Sequence, residues 1–76
     1  MEQALILVVL TSQYPKGLPD ILKKIKGVID ANFVYGPYDL YAIVKTETKA
    51  QMRDIVTKIR ETQGISSTMT CHVMEA

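Results

Sequence analysis

Ala4-Leu5-Ile6-Leu7-Val8-Val9-Leu10 is an unbroken apolar run of seven residues. Its length and its β-branched members favour a strand over a helix. Successive side chains of a strand point to opposite sides, so this strand is apolar on both and needs cover on both. A strand of that kind belongs in the middle of a sheet, with helices on one side and something else on the other.

Working outward, residues 11–17 hold Ser12, Pro15 and Gly17 and read as a loop. Leu18, Ile21, Leu22 and Ile25 then fall at i, i+3, i+4 and i+7, one stripe of an amphipathic helix. Pro19 suits its first turn, where the missing N–H costs nothing. Asp20 suits the positive end of the helix dipole, and Gly27 ends the helix. Residues 28–35 form a second strand; Asp30 and Asn32 make it less apolar than the first and place it at an edge. Gly36-Pro37 is a strong turn signal. It leads into a third strand, Leu40-Tyr41-Ala42-Ile43-Val44, again apolar on both sides, and the two strands flanking the turn form a hairpin. Thr48 followed by Gln51 fits a capping box, and the helix it opens carries Met52, Ile55, Val56 and Ile59 at the same spacing as the first stripe. Gly64 closes that helix. In the last strand, residues 66–74, the positions Ser66, Thr68, Thr70, His72 and Met74 alternate with Ser67, Met69, Cys71 and Val73. One side is the more polar, so this strand is half-buried or lines a site.

The two helical stripes match position by position, and each is followed by a glycine and a strand, Gly27-Val28 and Gly64-Ile65. The chain therefore reads as two β-α-β halves joined by the Gly36-Pro37 turn. Right-handed crossovers give an α+β, ferredoxin-like βαββαβ sandwich: a four-stranded antiparallel sheet with two helices on one face. The first and third strands, apolar on both sides, fall in the middle, and the more polar pair at the edges. The face without helices exposes either Ala4/Ile6/Val8/Leu10 or Leu5/Leu7/Val9. A contiguous apolar patch of that kind marks an interface, so a dimer packed sheet on sheet is expected, of the dimeric αβ barrel type.

Composition agrees. Residues 1–76 fit a single domain. A chain this short buries only roughly 60% of the surface its unfolded form exposes and usually needs a staple. Cys71 is the one cysteine, so there is no internal disulfide. No clustered Cys/His set offers a metal site, and no cofactor is expected. Oligomerisation remains, and 47% hydrophobic residues point the same way. A net charge of +1 argues against a nucleic-acid surface. Lys23, Lys24 and Lys26 read as a solvated helix face. The run at residues 4–10 is too short to span a membrane and lacks the flanks of a signal peptide. A cytoplasmic location is expected, which suits a free cysteine.

Tyr35-Gly36-Pro37-Tyr38-Asp39-Leu40 resembles the G-x-Y-D hairpin of the effector domain of Lrp/AsnC transcription regulators, the RAM domain. Ile25-Lys26-Gly27-Val28 resembles its I-x-G-V segment, and residues 64–70 resemble the entry to its last strand, G-V-x-x-T-x-T. The resemblance spans essentially the whole chain. It implies a sandwich that dimerises through its sheet and assembles into rings of four or five dimers, an octamer or decamer. It also implies a small effector, typically an amino acid, bound between dimers near the hairpin and the last strand. Gly36, Asp39, Thr68 and Thr70 are the positions carried over, with Tyr35 and Tyr38 as walls. In those roles glycine lets a ligand approach the backbone. Asp39 accepts hydrogen bonds from an α-ammonium group, and the threonine hydroxyls donate to a carboxylate. Family regulators carry an N-terminal helix-turn-helix, whereas this chain starts at the first strand. The expectation is a stand-alone module that senses a metabolite and modulates full-length Lrp/AsnC-type regulators by mixing into their assemblies.

Plainer readings stand beside these. Asp39 can cap the backbone of the turn, Gly36 is a turn glycine, and threonines are good strand residues. His72 and Cys71 point to opposite sides of one strand: His72 reads as an interface or surface residue, Cys71 as a small core hydrophobe. The rival function is a small dimeric αβ-barrel enzyme, an isomerase or cofactor-independent oxygenase. Asp39, His72 and the tyrosines are its only candidates, and no nucleophile–base pair is evident. An RNA-binding βαββαβ domain would need aromatics on the open face of the central strands, where only Tyr41 is available. A metallochaperone would need paired cysteines. An ACT-type amino-acid-binding domain shares the fold, but the hairpin fits Lrp/AsnC better.

Overall fold

The computed structural model describes residues 1–74. Its elements are β1 (Glu2–Leu10), α1 (Leu18–Lys23), β2 (Val28–Phe33), β3 (Leu40–Thr46), α2 (Lys49–Arg60) and β4 (Ile65–His72). They form one four-stranded sheet in the order β2-β3-β1-β4, antiparallel at every pairing. This is the expected ferredoxin-like arrangement, with the two doubly apolar strands in the middle.

Both helices lie on the same side. Ala4, Ile6 and Val8 of β1 and Leu40, Ala42 and Val44 of β3 are fully buried in one cluster with Leu18 and Leu22 of α1 and Met52, Ile55 and Ile59 of α2. The capping box forms as expected: the Gln51 N–H donates to Thr48 Oγ1 at 3.1 Å and the Thr48 N–H donates to Gln51 Oε1 at 3.3 Å. A cap of this kind stabilises a helix by about 1 kcal/mol.

Opposed residues of paired strands share a side, which settles which half of β1 is left open. Leu5 lies between Ile43 and Cys71, and Leu7 between Tyr41 and Met69. Two apolar rows thus cross the helix-free side. Cys71 belongs to this exposed face and not to the core, which corrects the sequence reading. Met69 and Cys71 of β4 face away from the helices, and Thr68 and Thr70 face towards them, while Ile65 at its start packs against the core.

Element ends differ from expectation for local reasons. Helix α1 stops at Lys23, short of Ile25, because its exit tightens into i→i−3 bonds, the Ile25 N–H to the Leu22 carbonyl at 3.0 Å and the Val28 N–H to the Ile25 carbonyl at 3.1 Å. Ile21 is exposed despite its place in the stripe. α1 packs chiefly on the edge strand β2, and that flank of the stripe has no strand beneath it. A register shift between Val28 and Asp30 bulges Ile29 outwards, and β2 ends at Phe33 where the expected strand ran to residue 35. Lys23, Lys24 and Lys26 are exposed, and no helix among the described residues is long and apolar enough to cross a membrane.

Candidate functional site

Asp39 sits where the β2–β3 hairpin meets the end of β1. Its N–H donates to the Val8 carbonyl at 2.9 Å, and its own carbonyl accepts from the Val34 N–H at 3.0 Å. Its side-chain Oδ2 accepts from the Leu10 N–H at 2.9 Å. The carboxylate therefore caps a strand remote in sequence, and the turn-capping role expected from the sequence is not the one it takes: the bond to Val34 is made by its main chain. Oδ1 accepts no hydrogen bond among the described residues, which leaves one oxygen of the carboxylate available.

Around Asp39 lies an open cleft of about 490 Å³ lined by Leu10, Thr11, Tyr14, Phe33, Val34 and Tyr35. The rings of Tyr14 and Phe33 pack at 5.8 Å between centroids, tilted by 52°, a favourable aromatic geometry. Gly64 holds the Tyr14 loop in place. Its carbonyl accepts from the Thr11 N–H at 2.8 Å, and a Cβ on it would lie 2.6 Å from that of Tyr14. Only glycine fits there, all the more since its φ is +97°. Gly36 has φ +122° with open space around its Cα, so the turn geometry alone accounts for it. Tyr35 is fully exposed at the hairpin tip.

The expected site residues do not all converge. Asp39 and Tyr35 share this cleft, with Gly36 beside them in the chain. Tyr38 turns to the helix-free side of the sheet, where its hydroxyl contacts Met69 Sδ at 3.2 Å. Thr68 and Thr70 pair with Val8 and Ile6, and so lie on the helix side of β4. β1 separates them from β3, a span of two strand spacings or roughly 10 Å. Sequence reading missed Leu10, Thr11, Phe33 and Val34 as walls and left Tyr14 to packing. An aromatic in the loop straight after a central strand was the signal available for Tyr14.

On the helix-free side, the Tyr41 hydroxyl donates to Asp30 Oδ2 at 2.8 Å, bridging β2 and β3. That hydrogen bond, with desolvation and the carboxylate's charge, raises the pKa of the phenol.

A second cleft, also about 490 Å³, opens between α2 and β4 and is lined by Glu2, Lys49, Met52, Arg53, Val56, Thr70 and His72. Asp39 and His72 thus line different clefts. Among the described residues no group of three His, Cys, Asp or Glu side chains could hold a metal ion.

The sequence model of the Lrp/AsnC ligand binding domain matches residues 3–76. The crystal structure of a Thermus thermophilus protein superposes with a TM-score of 0.89 at 27% identity, covering 100% of this chain and 96% of that one. FFRP-DM1 superposes with a TM-score of 0.88 at 32% identity, covering 97% and 100%. The Mycobacterium tuberculosis feast or famine regulatory protein complexed with L-methionine has the same fold, with a TM-score of 0.83 at 19% identity; the match covers 100% of this chain and 52% of that one. No curated protein matches the chain.

Proposed function

Because the chain belongs to the family of Lrp/AsnC ligand-binding domains, we propose that it is an effector-binding and oligomerisation module. It binds an amino acid or a similar small effector and pairs with a second copy through the helix-free side of its sheet. The pairs close into a ring, an octamer or decamer. As one domain acting in the cytoplasm, it modulates transcription through full-length Lrp/AsnC-type regulators whose assemblies it joins. It contacts neither nucleic acid nor membrane itself, needs no cofactor and catalyses no reaction.

The observation that carries this reading is the pair of apolar rows, Ile43-Leu5-Cys71 and Tyr41-Leu7-Met69, on a sheet face with no helix over it. Fully burying an exposed large aliphatic side chain gains roughly 1.5–3 kcal/mol; Leu5, Leu7, Tyr41 and Ile43 are half-buried as they stand, so each gains part of that, and the two rows together favour a stacked partner. The effector half of the reading draws on the Asp39 cleft. The available Oδ1 is a charge-assisted acceptor for an α-ammonium group. Tyr14 and Phe33 offer an apolar wall for a side chain. Thr68 and Thr70 lie beyond β1 from Asp39, so an effector held by all of them sits between protomers, with the hydroxyls coming from a neighbour. The methionine bound by the Mycobacterium tuberculosis regulator favours an amino acid as the class.

Light scattering in line with size exclusion, with and without pooled amino acids, tests this. Eight to ten chains, or a mass that changes with one amino acid, is the expected result. A monomer at low micromolar concentration would overturn the oligomer. A plain dimer indifferent to every amino acid would overturn the effector.

A further inference from the structure

We infer that the cleft between α2 and β4 is a second ligand site, one that takes a carboxylate carried on a small apolar body. It is independent of the hairpin cleft. Glu2 lines one and Leu10 the other, at opposite ends of β1 and roughly 25 Å apart at the rise of an extended strand. It also lies on the helix side of the sheet and stays open when the other side is covered.

Three features point to this ligand. The first is the orientation of β4. Thr70 and His72 pair with Ile6 and Ala4, both fully buried, so they point to the side where a core strand would carry apolar groups. No side-chain polar atom among the described residues is left buried without a partner. The hydroxyl and the imidazole have accessible space because they line an opening, and not a packed helix face. The second is charge. Lys49 and Arg53 stand one turn apart on α2, a spacing at which like charges repel. Neither side chain makes a hydrogen bond among the described residues. An anion between them relieves the repulsion, and the guanidinium offers a planar fork matched to a carboxylate. The third is the floor. Met52 is buried and Val56 half-buried beneath these cations, a surface for a short hydrocarbon chain. The volume, about 490 Å³, falls within the usual range for small-molecule pockets.

Glu2 narrows the chemistry. Its carboxylate shares the cleft and disfavours a doubly charged phosphate. Two sources of the same chemistry remain, an apolar amino acid, whose ammonium Glu2 would accept, or the 2-oxo acid that lacks that ammonium.

The test is amide chemical-shift mapping of the ¹⁵N-labelled protein, titrated separately with 4-methyl-2-oxopentanoate and with leucine. Shifts centred on residues 49–56 and on His72, which the hairpin site does not use, saturating in the millimolar range or below, are expected with at least one of the two. Arg53→Gln should weaken that binding about ten-fold; Arg53 is exposed, so the thermal midpoint serves as the folding control. Lys23→Gln, on the other helix, should leave it unchanged. Preference for leucine that Glu2→Gln abolishes assigns the amino acid, and preference for the 2-oxo acid assigns the deaminated source. Wild-type affinity in Arg53→Gln overturns the site, as do shifts confined to residues 33–39 or no shift with either ligand. Residues 33–39 report the hairpin cleft, so failure of this site and failure of the effector reading are told apart.

Discussion

The Asp39 carboxylate holds the Leu10 backbone N–H at 2.9 Å across 29 residues of sequence, tying the β2–β3 hairpin to the end of β1. This bond gives Asp39 a structural duty separable from a ligand-binding one. Asparagine keeps an acceptor oxygen in the same place but drops the charge. Asp39→Ala should cost about 1.5 kcal/mol in urea unfolding, the low end for a hydrogen bond to a charged group because water can reach the freed N–H. Asp39→Asn should cost less than half of that and yet weaken amino-acid binding as much as alanine does. Equal binding by wild type and Asp39→Ala would remove Asp39 from the site.

Leu7 occupies the middle of the helix-free face, between Tyr41 and Met69. A charge there would be buried unpaired in a stacked dimer, at a cost of several kcal/mol. Leu7→Asp should give a monomer by light scattering at concentrations where the wild type is fully associated. Lys23→Asp, on α1 at the opposite side of the sheet and already exposed, should leave the dimer intact. A dimeric Leu7→Asp protein would place the interface elsewhere.

Tyr41 gives a pH signature. Its phenol donates to Asp30 and has a raised pKa, so the folded state holds that proton more tightly than the unfolded chain. The resulting stability is fully present below the ordinary tyrosine pKa of about 10 and is lost as pH rises through the higher folded value. Absorbance at alkaline pH, taken as the difference between wild type and Tyr41→Phe, should show Tyr41 ionising at a higher pH than a free tyrosine. Asp30→Asn should bring that transition down. An unchanged transition would mean that the bridge does not form in solution.

Gly64 and Gly17 make a controlled pair. Alanine at Gly64 needs a left-handed backbone and collides with Tyr14, whereas Gly17 has open space and an ordinary φ. Gly64→Ala should lose about 2–3 kcal/mol, strain and overpacking together. Gly17→Ala should change stability by less than about 0.5 kcal/mol. Near-ultraviolet circular dichroism should register the displaced Tyr14 in the first variant alone.

Much of the fold was legible because local signals and the global pattern agree. The run at residues 4–10 reads as a central strand, and Thr48 with Gln51 reads as a helix start. The matched stripes read as two halves of one sandwich. Which side of β1 stays open was not legible, since Ala4/Ile6/Val8 and Leu5/Leu7/Val9 are equally apolar; helix packing decides it. The site was less legible still. Thr70 and Asp39 each carry a plausible ligand group, but the strand between them in the sheet is β1, from the far end of the sequence. Periodicity within one strand carries no information about that separation. Nothing in the sequence singles out Lys49 and Arg53; the polar side of β4 turned towards them does.

The two halves of the chain leave their helices in the same way, through Gly27 at φ +105° and Gly64 at φ +97°, each feeding an edge strand. The open face inherits that near-duplication, so it looks similar after a half-turn about an axis perpendicular to the sheet between β1 and β3. A second copy then has two alternative orientations in which its apolar rows match, and hydrophobic burial, being non-directional, hardly distinguishes them. The asymmetry is polar: on the β2 side the Tyr41 hydroxyl donates to the Asp30 carboxylate, whereas on the β4 side the Tyr38 hydroxyl donates to the Met69 sulfur. In the proposed dimer the apolar rows would set whether two copies meet, and the two unlike tyrosine contacts which way round they face.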